Sequence, residues 1–208
     1  MPEMKKLGMT SKIAVGVCAL FLAVTLARLN DRAEAGVPTE QVRATVDRVL
    51  AILKDPKLKA DGAEKKRRAE LSNAILPRFD FEEMAKRSLG SEWRRRTPAE
   101  QKEFVNLFTD LLRESYVTTI ESYRGDRVVY RKETQDDRFA EVGTAVITEQ
   151  DQEFVIIYKM HLASSDWKVY DVVLENISIV NNFRSQFRRV LGKSSFADLL
   201  QTMRERKP

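Results

Sequence analysis

The chain has 208 residues and a net charge of +5, with 43% hydrophobic and 32% charged residues. This composition is typical of a globular protein and is too apolar for a disordered one. A single Cys and a single His exclude zinc sites built from Cys and His, disulfide frameworks and Cys–His catalytic pairs. We therefore expect no metal and no cofactor, and the positive excess is small for a nucleic-acid-binding protein.

The N-terminus has the order of a secretory signal peptide. A basic start from Lys5 to Lys12 precedes Ile13–Ala27, which carries no charge and is shorter than the roughly 20 apolar residues of a membrane span. Ala33-Glu34-Ala35 then offers a cleavage site between small residues. The sequence predicts export and cleavage near Ala35, leaving residues 36–208 as one domain with a frayed tail from about 204. An uncleaved N-terminal anchor is the alternative.

Apolar residues at helical spacing predict three helices in the first part of this domain. They span Thr39–Lys54, then Asp61–Leu76, and then a short segment between the N-cap Asp80 and Gly90. A fourth, long helix is predicted from Pro98 to Tyr123, because Thr97 and Glu100 frame Pro98 as a capping box.

A change to alternating hydrophobicity predicts four strands after the long helix. They are Val128–Lys132, Phe139–Thr148, Glu153–Ala163 and Trp167–Glu175, followed by helices over Val180–Leu191 and Ser195–Arg204. Because the turns between strands are short, neighbouring strands should be antiparallel. The predicted fold is α+β, with helices packed on one four-stranded antiparallel sheet.

The register of the strands follows if Gln150-Asp151 and Ser164-Ser165 are two-residue turns. Ala145 then pairs with Ile156, and Tyr158 pairs with both Gly143 and Asp171. One face becomes mostly apolar and should meet the long helix; it holds Gly143, Ala145, Ile147, Phe154, Ile156, Tyr158, Met160, Leu162, Trp167, Val169 and Val173. The small residues Gly143 and Ala145 leave a gap on this face. Either a large helix side chain fills the gap, or the gap is the floor of an apolar cavity.

Two basic runs, Lys65–Arg68 and Arg94–Arg96, are either solvated helix surfaces or docking surfaces for an acidic partner or anionic headgroups. His161 and Asp171 are titratable residues on the predicted strands, and we interpret both first as structural residues. An enzyme of this fold could instead use Asp171 with His161 or Tyr158 as a polar site.

Three stretches of sequence together carry a family resemblance. The first runs from Pro77 to Phe108 and includes Leu89-Gly90, Trp93 and Thr97-Pro98-Ala99-Glu100-Gln101. The second runs from Leu111 to Tyr123, and the third from Trp167 to Phe187. As a set they resemble the toluene-tolerance, or MlaC, family over roughly residues 40–204. The chain departs from that pattern at Asn176, where many relatives have Gly.

The resemblance implies a periplasmic phospholipid carrier rather than an enzyme, with lipid as cargo in an apolar cavity between a curved sheet and helices. It implies two partners, an inner-membrane ABC transporter with an MCE-domain subunit and an outer-membrane lipoprotein–porin complex. A branch of the family is associated with hopanoid export, so that ligand stays open, as does an enzyme on a similar cone-shaped scaffold. We expect no catalytic residue and predict these lipid-binding residues: Phe104, Phe108, Leu111, Gly143, Ala145, Ile147, Phe154, Ile156, Tyr158, Met160, Val169 and Val173.

Overall fold

Helices precede and follow one antiparallel sheet in the computed structural model, which describes residues 36–121 and 127–205. The helices are α1 (Val37–Lys54), α2 (Pro56–Lys59), α3 (Glu64–Ile75), α4 (Phe81–Leu89), α5 (Pro98–Glu121), α6 (Ile179–Leu191) and α7 (Phe196–Glu205), with 3₁₀ turns at Leu76–Arg78 and Gly90–Arg95. The strands are β1 (Arg127–Asp136), β2 (Phe139–Ile147), β3 (Glu153–Ala163), β4 (Asp166–Leu174) and β5 (Ile177–Ser178), in the order β1-β2-β3-β4-β5.

The predicted α+β class is confirmed, with five strands instead of four. The extra strand, β5, follows a two-residue turn in which Glu175 and Asn176 have φ of 47° and 64°. Asn tolerates this left-handed conformation better than most residues, so the turn forms without the family's Gly. The predicted signal peptide, the end of the long helix beyond residue 121 and the last three residues lie outside the described residues.

Local capping signals set the helix boundaries that the sequence predicts. The Thr97 N–H donates to Glu100 Oε2 at 2.8 Å, and the Glu100 N–H donates to Thr97 Oγ1 at 3.3 Å. The hydrogen bonds from the Thr97 backbone and hydroxyl lower the pKa of Glu100. At α4, Asp80 Oδ1 accepts from the Glu83 N–H at 2.9 Å, and Gly90 ends the helix with φ of 64°.

The apolar side chains form three separate clusters, where a domain of this size usually has one contiguous core. The first joins helices α4 to α7, the second joins Val42 to the inner face of β2, β3 and β4, and the third joins α1, α2 and α3. Phe79 packs against both the first and the second cluster, but the three clusters share no buried residue, so a space can remain where they meet.

The long helix α5 does not pack on the sheet as predicted. Its first half buries Phe104 and Phe108 completely against α6, with Phe108 edge-on to Phe183 and Phe104 edge-on to Phe187, both at 5.4 Å between ring centroids. The apolar sheet face is therefore left uncovered by this half of the helix.

The predicted register between β2 and β3 is wrong by one residue. Ala145 pairs with Val155, and Gly143 pairs with Ile157. The turn has three residues rather than two, because the Thr148 N–H donates to the Gln152 carbonyl at 2.9 Å and Asp151 takes φ of 58°. A slip of one residue exchanges the two faces of a strand.

The turn at Ser164-Ser165 is as predicted, since Leu162 pairs with Trp167. A β-bulge between Lys159 and Met160 then shifts the register, so that Tyr158 pairs with Val172 rather than Asp171. Beyond the bulge, Val172 takes the inward position that the sequence pattern predicted for Val173.

Gly143, Ala145, Ile147 and Val173 consequently lie on the sheet face opposite to the one predicted. A Cβ at Gly143 would lie 3.2 Å from the Lys132 carbonyl oxygen, where β1 is irregular. The small residue thus permits a close approach of the β1 backbone. Ala145 is fully buried between its larger neighbours.

Candidate functional site

A cavity of about 880 Å³ lies between the inner face of the sheet and helices α1, α3 and α5. This volume is near the upper end of the roughly 300–1,000 Å³ of small-molecule sites. The cavity touches members of all three hydrophobic clusters, among them Met84, Val42 and Leu71. It is the space where those clusters meet.

The helical walls are apolar stripes at helical spacing. Helix α1 contributes Val42, Val46, Val49, Leu50 and Leu53, α3 contributes Leu71 and Ile75, and the second half of α5 contributes Leu112, Tyr116 and Ile120. Val46, Val49 and Leu50 are only half-buried. They present apolar surface to the cavity rather than to a packed neighbour.

The sheet wall consists of alternate residues of β2, β3 and β4. These are Thr144 and Val146 on β2, Phe154, Ile156 and Tyr158 on β3, and Val169, Val172 and Leu174 on β4. Because of the bulge, the next inward residue of β4 after Val169 is Val172 rather than residue 171. The end of β4 therefore presents apolar side chains to the cavity.

The polar groups of the inner sheet wall are neutral. Thr144 Oγ1 donates to the Ile156 carbonyl at 3.3 Å. Burial raises the pKa of Tyr158 against the opposing effect of a hydrogen bond with Thr144. Burial and the nearby Asp47 raise the pKa of Tyr130 on β1 to about 12. The wall therefore carries hydroxyl groups without charge at neutral pH.

Among the described residues, two arginines line the cavity, and Arg78 is the more shielded of them, with its side chain 18% exposed. Its Nη1 donates to Gln41 Oε1 at 2.8 Å, to Asp166 Oδ1 at 2.9 Å and to the Trp167 carbonyl at 2.6 Å. These bonds tie α1, the 3₁₀ turn and β4 together at the cavity wall. Burial would raise the pKa of Asp166, but hydrogen bonds from Lys168 and Arg78 outweigh it and lower that pKa.

The cavity opens to solvent near the β2–β3 turn and the middle of α5. The exposed lining residues Glu149 and Gln150 belong to that turn. Arg113 lines the cavity from α5, with its Nη2 3.0 Å from Asp110 Oδ1. Exposed charged residues thus border an interior whose walls are mostly apolar.

A second cavity of about 270 Å³ adjoins the first at the β4–β5 turn. The two share Tyr116, Phe154, Leu174 and Ile179 as walls, and the second adds Glu175, Ile177 and Asn182. The two cavities therefore lie side by side and share apolar walls at the end of the sheet.

Four of the twelve residues predicted to bind lipid line the large cavity: Phe154, Ile156, Tyr158 and Val169. Met160 is on the same face but is fully buried in the sheet cluster. Phe104, Phe108 and Leu111 belong to the helical cluster, and Gly143, Ala145, Ile147 and Val173 are on the other face. Whether the four lining residues bind lipid stays a prediction.

The sequence pattern missed the walls from α1 and α3. The apolar stripe of α1, from Val42 to Leu53, was visible as a helical face. A stripe of this kind looks the same whether it packs on a core or borders a cavity, so only the tertiary structure assigns its role.

The polar residues of the enzyme alternative do not meet in the cavity. Asp171 accepts from Ser178 Oγ at 2.6 Å and from the Val180 N–H at 3.1 Å, which anchors the start of α6. His161 Nε2 lies 2.9 Å from Asp80 Oδ2 at the N-terminus of α4. Of the three, Tyr158 alone lines the cavity. Within residues 36–121 and 127–205, no group of three or more His, Cys, Asp or Glu side chains could hold a metal ion.

Both basic runs are partly paired with carboxylates. Arg95 and Arg96 contact Glu92 at 2.7 and 3.3 Å. Arg67 and Arg68 each place Nε 3.0 Å from a different oxygen of Glu121. These ion pairs link residues near helix ends, and a docking role for either run stays a prediction.

In the described part of the chain, none of the helices combines the length and apolar run that crossing a bilayer requires.

Comparison with known proteins finds relatives that match fold and sequence together. The chain is 22% identical over 143 residues to the intermembrane phospholipid transport system binding protein MlaC of Haemophilus influenzae, covering 66% of this chain and 67% of that protein. Its structure is similar to a phospholipid-binding protein from Ralstonia solanacearum solved in complex with a phospholipid. That match has a TM-score of 0.73 and 27% identity, and covers 81% of this chain and 95% of the other. The MlaC protein family matches residues 43–205. The chain therefore belongs to the MlaC protein family.

Proposed function

We propose that this protein is a phospholipid carrier of the periplasm that shuttles lipid between the outer and inner membranes. The observation that carries the proposal is the cavity of about 880 Å³, whose walls are mostly apolar and whose charged residues are the exposed Glu149 and Arg113 and the paired Arg78. Transferring a methylene group out of water is worth about 0.8 kcal/mol, so acyl chains favour such an interior. The charged rim suits a headgroup that stays hydrated.

The phospholipid assignment is supported by the names of the relatives, one an intermembrane transport protein and the other a phospholipid complex. As partners we propose the inner-membrane ABC transporter with an MCE-domain subunit and the outer-membrane lipoprotein–porin complex. We propose no catalysis, because the two polar residues that an enzyme of this fold could pair with Tyr158, Asp171 and His161, do not line the cavity and are bonded elsewhere.

Export is the remaining part of the proposal. The full chain, expressed with its own N-terminus in a Gram-negative host, should be recovered from the periplasm with a mass corresponding to cleavage near Ala35. A membrane-bound product that keeps residues 1–35 would contradict the export proposal.

Lipid extraction and mass spectrometry of the purified protein test the cargo. We expect about one lipid-filled site per protein, occupied by glycerophospholipids. If hopanoids are the major bound species, the cargo is the alternative ligand of the family and not phospholipid. Protein that folds yet carries no apolar ligand, even after incubation with phospholipid vesicles, would refute the carrier function.

A further inference from the structure

The end of the sheet beside the cavity mouth exposes an unusual amount of apolar surface. Among the described residues, Phe154 is 42% exposed, Leu174 37% and Ile177 62%. These three residues, here called the mouth patch, all line the second cavity. Clustered exposed apolar residues mark interaction sites more often than isolated ones do.

The mouth patch is continuous with the interior. Phe154 and Leu174 line both cavities, and Ile177 extends the apolar surface outward from them. The patch is held in place, because the Glu175 N–H donates to the Val155 carbonyl at 3.1 Å and Glu175 Oε1 accepts from the Val155 N–H at 2.6 Å. A partner with an apolar surface seated here would continue the apolar lining that the two cavities share.

The charges around the mouth patch favour a basic partner. Four exposed carboxylates lie at this end of the sheet: Glu149 and Asp151 in the β2–β3 turn, Glu153 at the start of β3 and Glu175 in the β4–β5 turn. The arginines nearby are fewer, and two of them are paired: Arg127 is exposed, Arg131 is paired with Glu153 at 2.6 Å, and Arg113 at the mouth is paired with Asp110 at 3.0 Å. Anionic lipid surfaces attract basic protein surfaces and repel acidic ones. The surface is thus poorly suited to an anionic bilayer and complementary to Lys and Arg.

We propose that the mouth patch and its carboxylates dock onto a protein whose own apolar opening is edged by Lys or Arg. The inference rests on the proposed carrier function, because a continuous apolar path matters only if an acyl chain moves along it. It assigns docking to the acidic mouth, not to the basic runs on α3 and before α5.

Two labelled synthetic peptides serve as probes, an amphipathic helix of Leu and Lys and its counterpart of Leu and Glu. Their binding to the purified protein carrying its lipid is measured by fluorescence anisotropy. The Leu–Lys peptide should bind more tightly and lose affinity with salt. Ile177→Asp should weaken binding of the Leu–Lys peptide about tenfold, as expected for the loss of a central apolar contact. Glu149→Lys should also weaken this binding and should make it less dependent on salt. The matched control is Val37→Asp, since Val37 is equally exposed at 62% but lies at the start of α1.

Four results would overturn the proposal. Equal binding of both peptides, or equal weakening by Val37→Asp and Ile177→Asp, would remove the mouth patch as the docking surface. If the protein binds phosphatidylglycerol vesicles and Ile177→Asp abolishes that binding, the mouth patch is a membrane-binding surface. Dimerisation that Ile177→Asp abolishes would assign it to a second copy of this chain. Lipid content is measured in every sample. Protein that keeps its lipid but does not bind the peptide contradicts the docking proposal alone, whereas protein without lipid contradicts the carrier function.

Discussion

Val146 and Ile147 provide a direct test of which sheet face holds the ligand. They are neighbours on β2, both are half-buried and β-branched, and they point to opposite faces. Val146 lines the cavity, whereas Ile147 does not. Replacing each in turn by Trp places the same large side chain inside the cavity or outside it.

Val146→Trp should lower lipid affinity without unfolding the protein. The indole enters existing space, so the cost of about 1–3 kcal/mol for overpacking a filled core should be largely avoided. If the indole excludes only three methylenes of an acyl chain, at about 0.8 kcal/mol each, affinity falls by about 2.4 kcal/mol, or roughly fiftyfold. Ile147→Trp should leave affinity near that of the unchanged protein.

The assay is lipid content by mass spectrometry, with affinity measured by displacement of a fluorescent fatty acid and stability of the delipidated protein by urea denaturation. Equal lipid content in the two variants would refute the assignment of the inner face. Unfolding of Val146→Trp alone would show that the space beside it is already packed.

Three further predictions concern parts of the structure away from this pair. Ala145→Phe should destabilise the protein by about 1–3 kcal/mol and leave the lipid content of the folded fraction unchanged, because the fully buried Ala145 has no access to the cavity; loss of lipid at unchanged stability in urea would contradict this. Phe108→Ala should cost about 3–5 kcal/mol in urea denaturation while folded protein still carries lipid, since this ring fills the helical cluster; a cost below about 1 kcal/mol would be inconsistent with its packing. Asp166 has a lowered pKa, so its pairing with Arg78 and Lys168 stabilises the fold above the ordinary carboxyl pKa of about 3.9 and is lost as the pH falls below it. The difference in unfolding free energy between the unchanged protein and Asp166→Asn should therefore be present at pH 6 and shrink towards pH 3, and a difference independent of pH would argue against the ion pairs.

Much of the fold could be predicted because its signals are local. The Thr97–Glu100 box, the cap at Asp80 and the end at Gly90 each satisfy backbone groups within a few residues, so the sequence window contains the whole interaction. Family motifs then identified the class of ligand, which no local signal gives. The cavity walls were less predictable, because an apolar stripe on a helix has the same sequence pattern whether it packs against a core or borders a cavity.

The sequence by itself determined the six longer helices, the four long strands, their antiparallel order and the presence of an apolar sheet face, since hydrophobic period and short turns depend on neighbouring residues. Only the tertiary structure decided which residues of that surface meet the cavity. A third residue in the turn after Thr148 and a bulge at Lys159 reversed the faces of β2 and of the end of β4, and each is a matter of one residue in hydrogen-bond register. The packing of Phe104 and Phe108 against α6 likewise depends on residues 83 and 75 positions apart in the sequence, and this packing leaves the sheet face free. The ligand space is set by how three hydrophobic clusters meet, and no segment of the sequence contains that information alone.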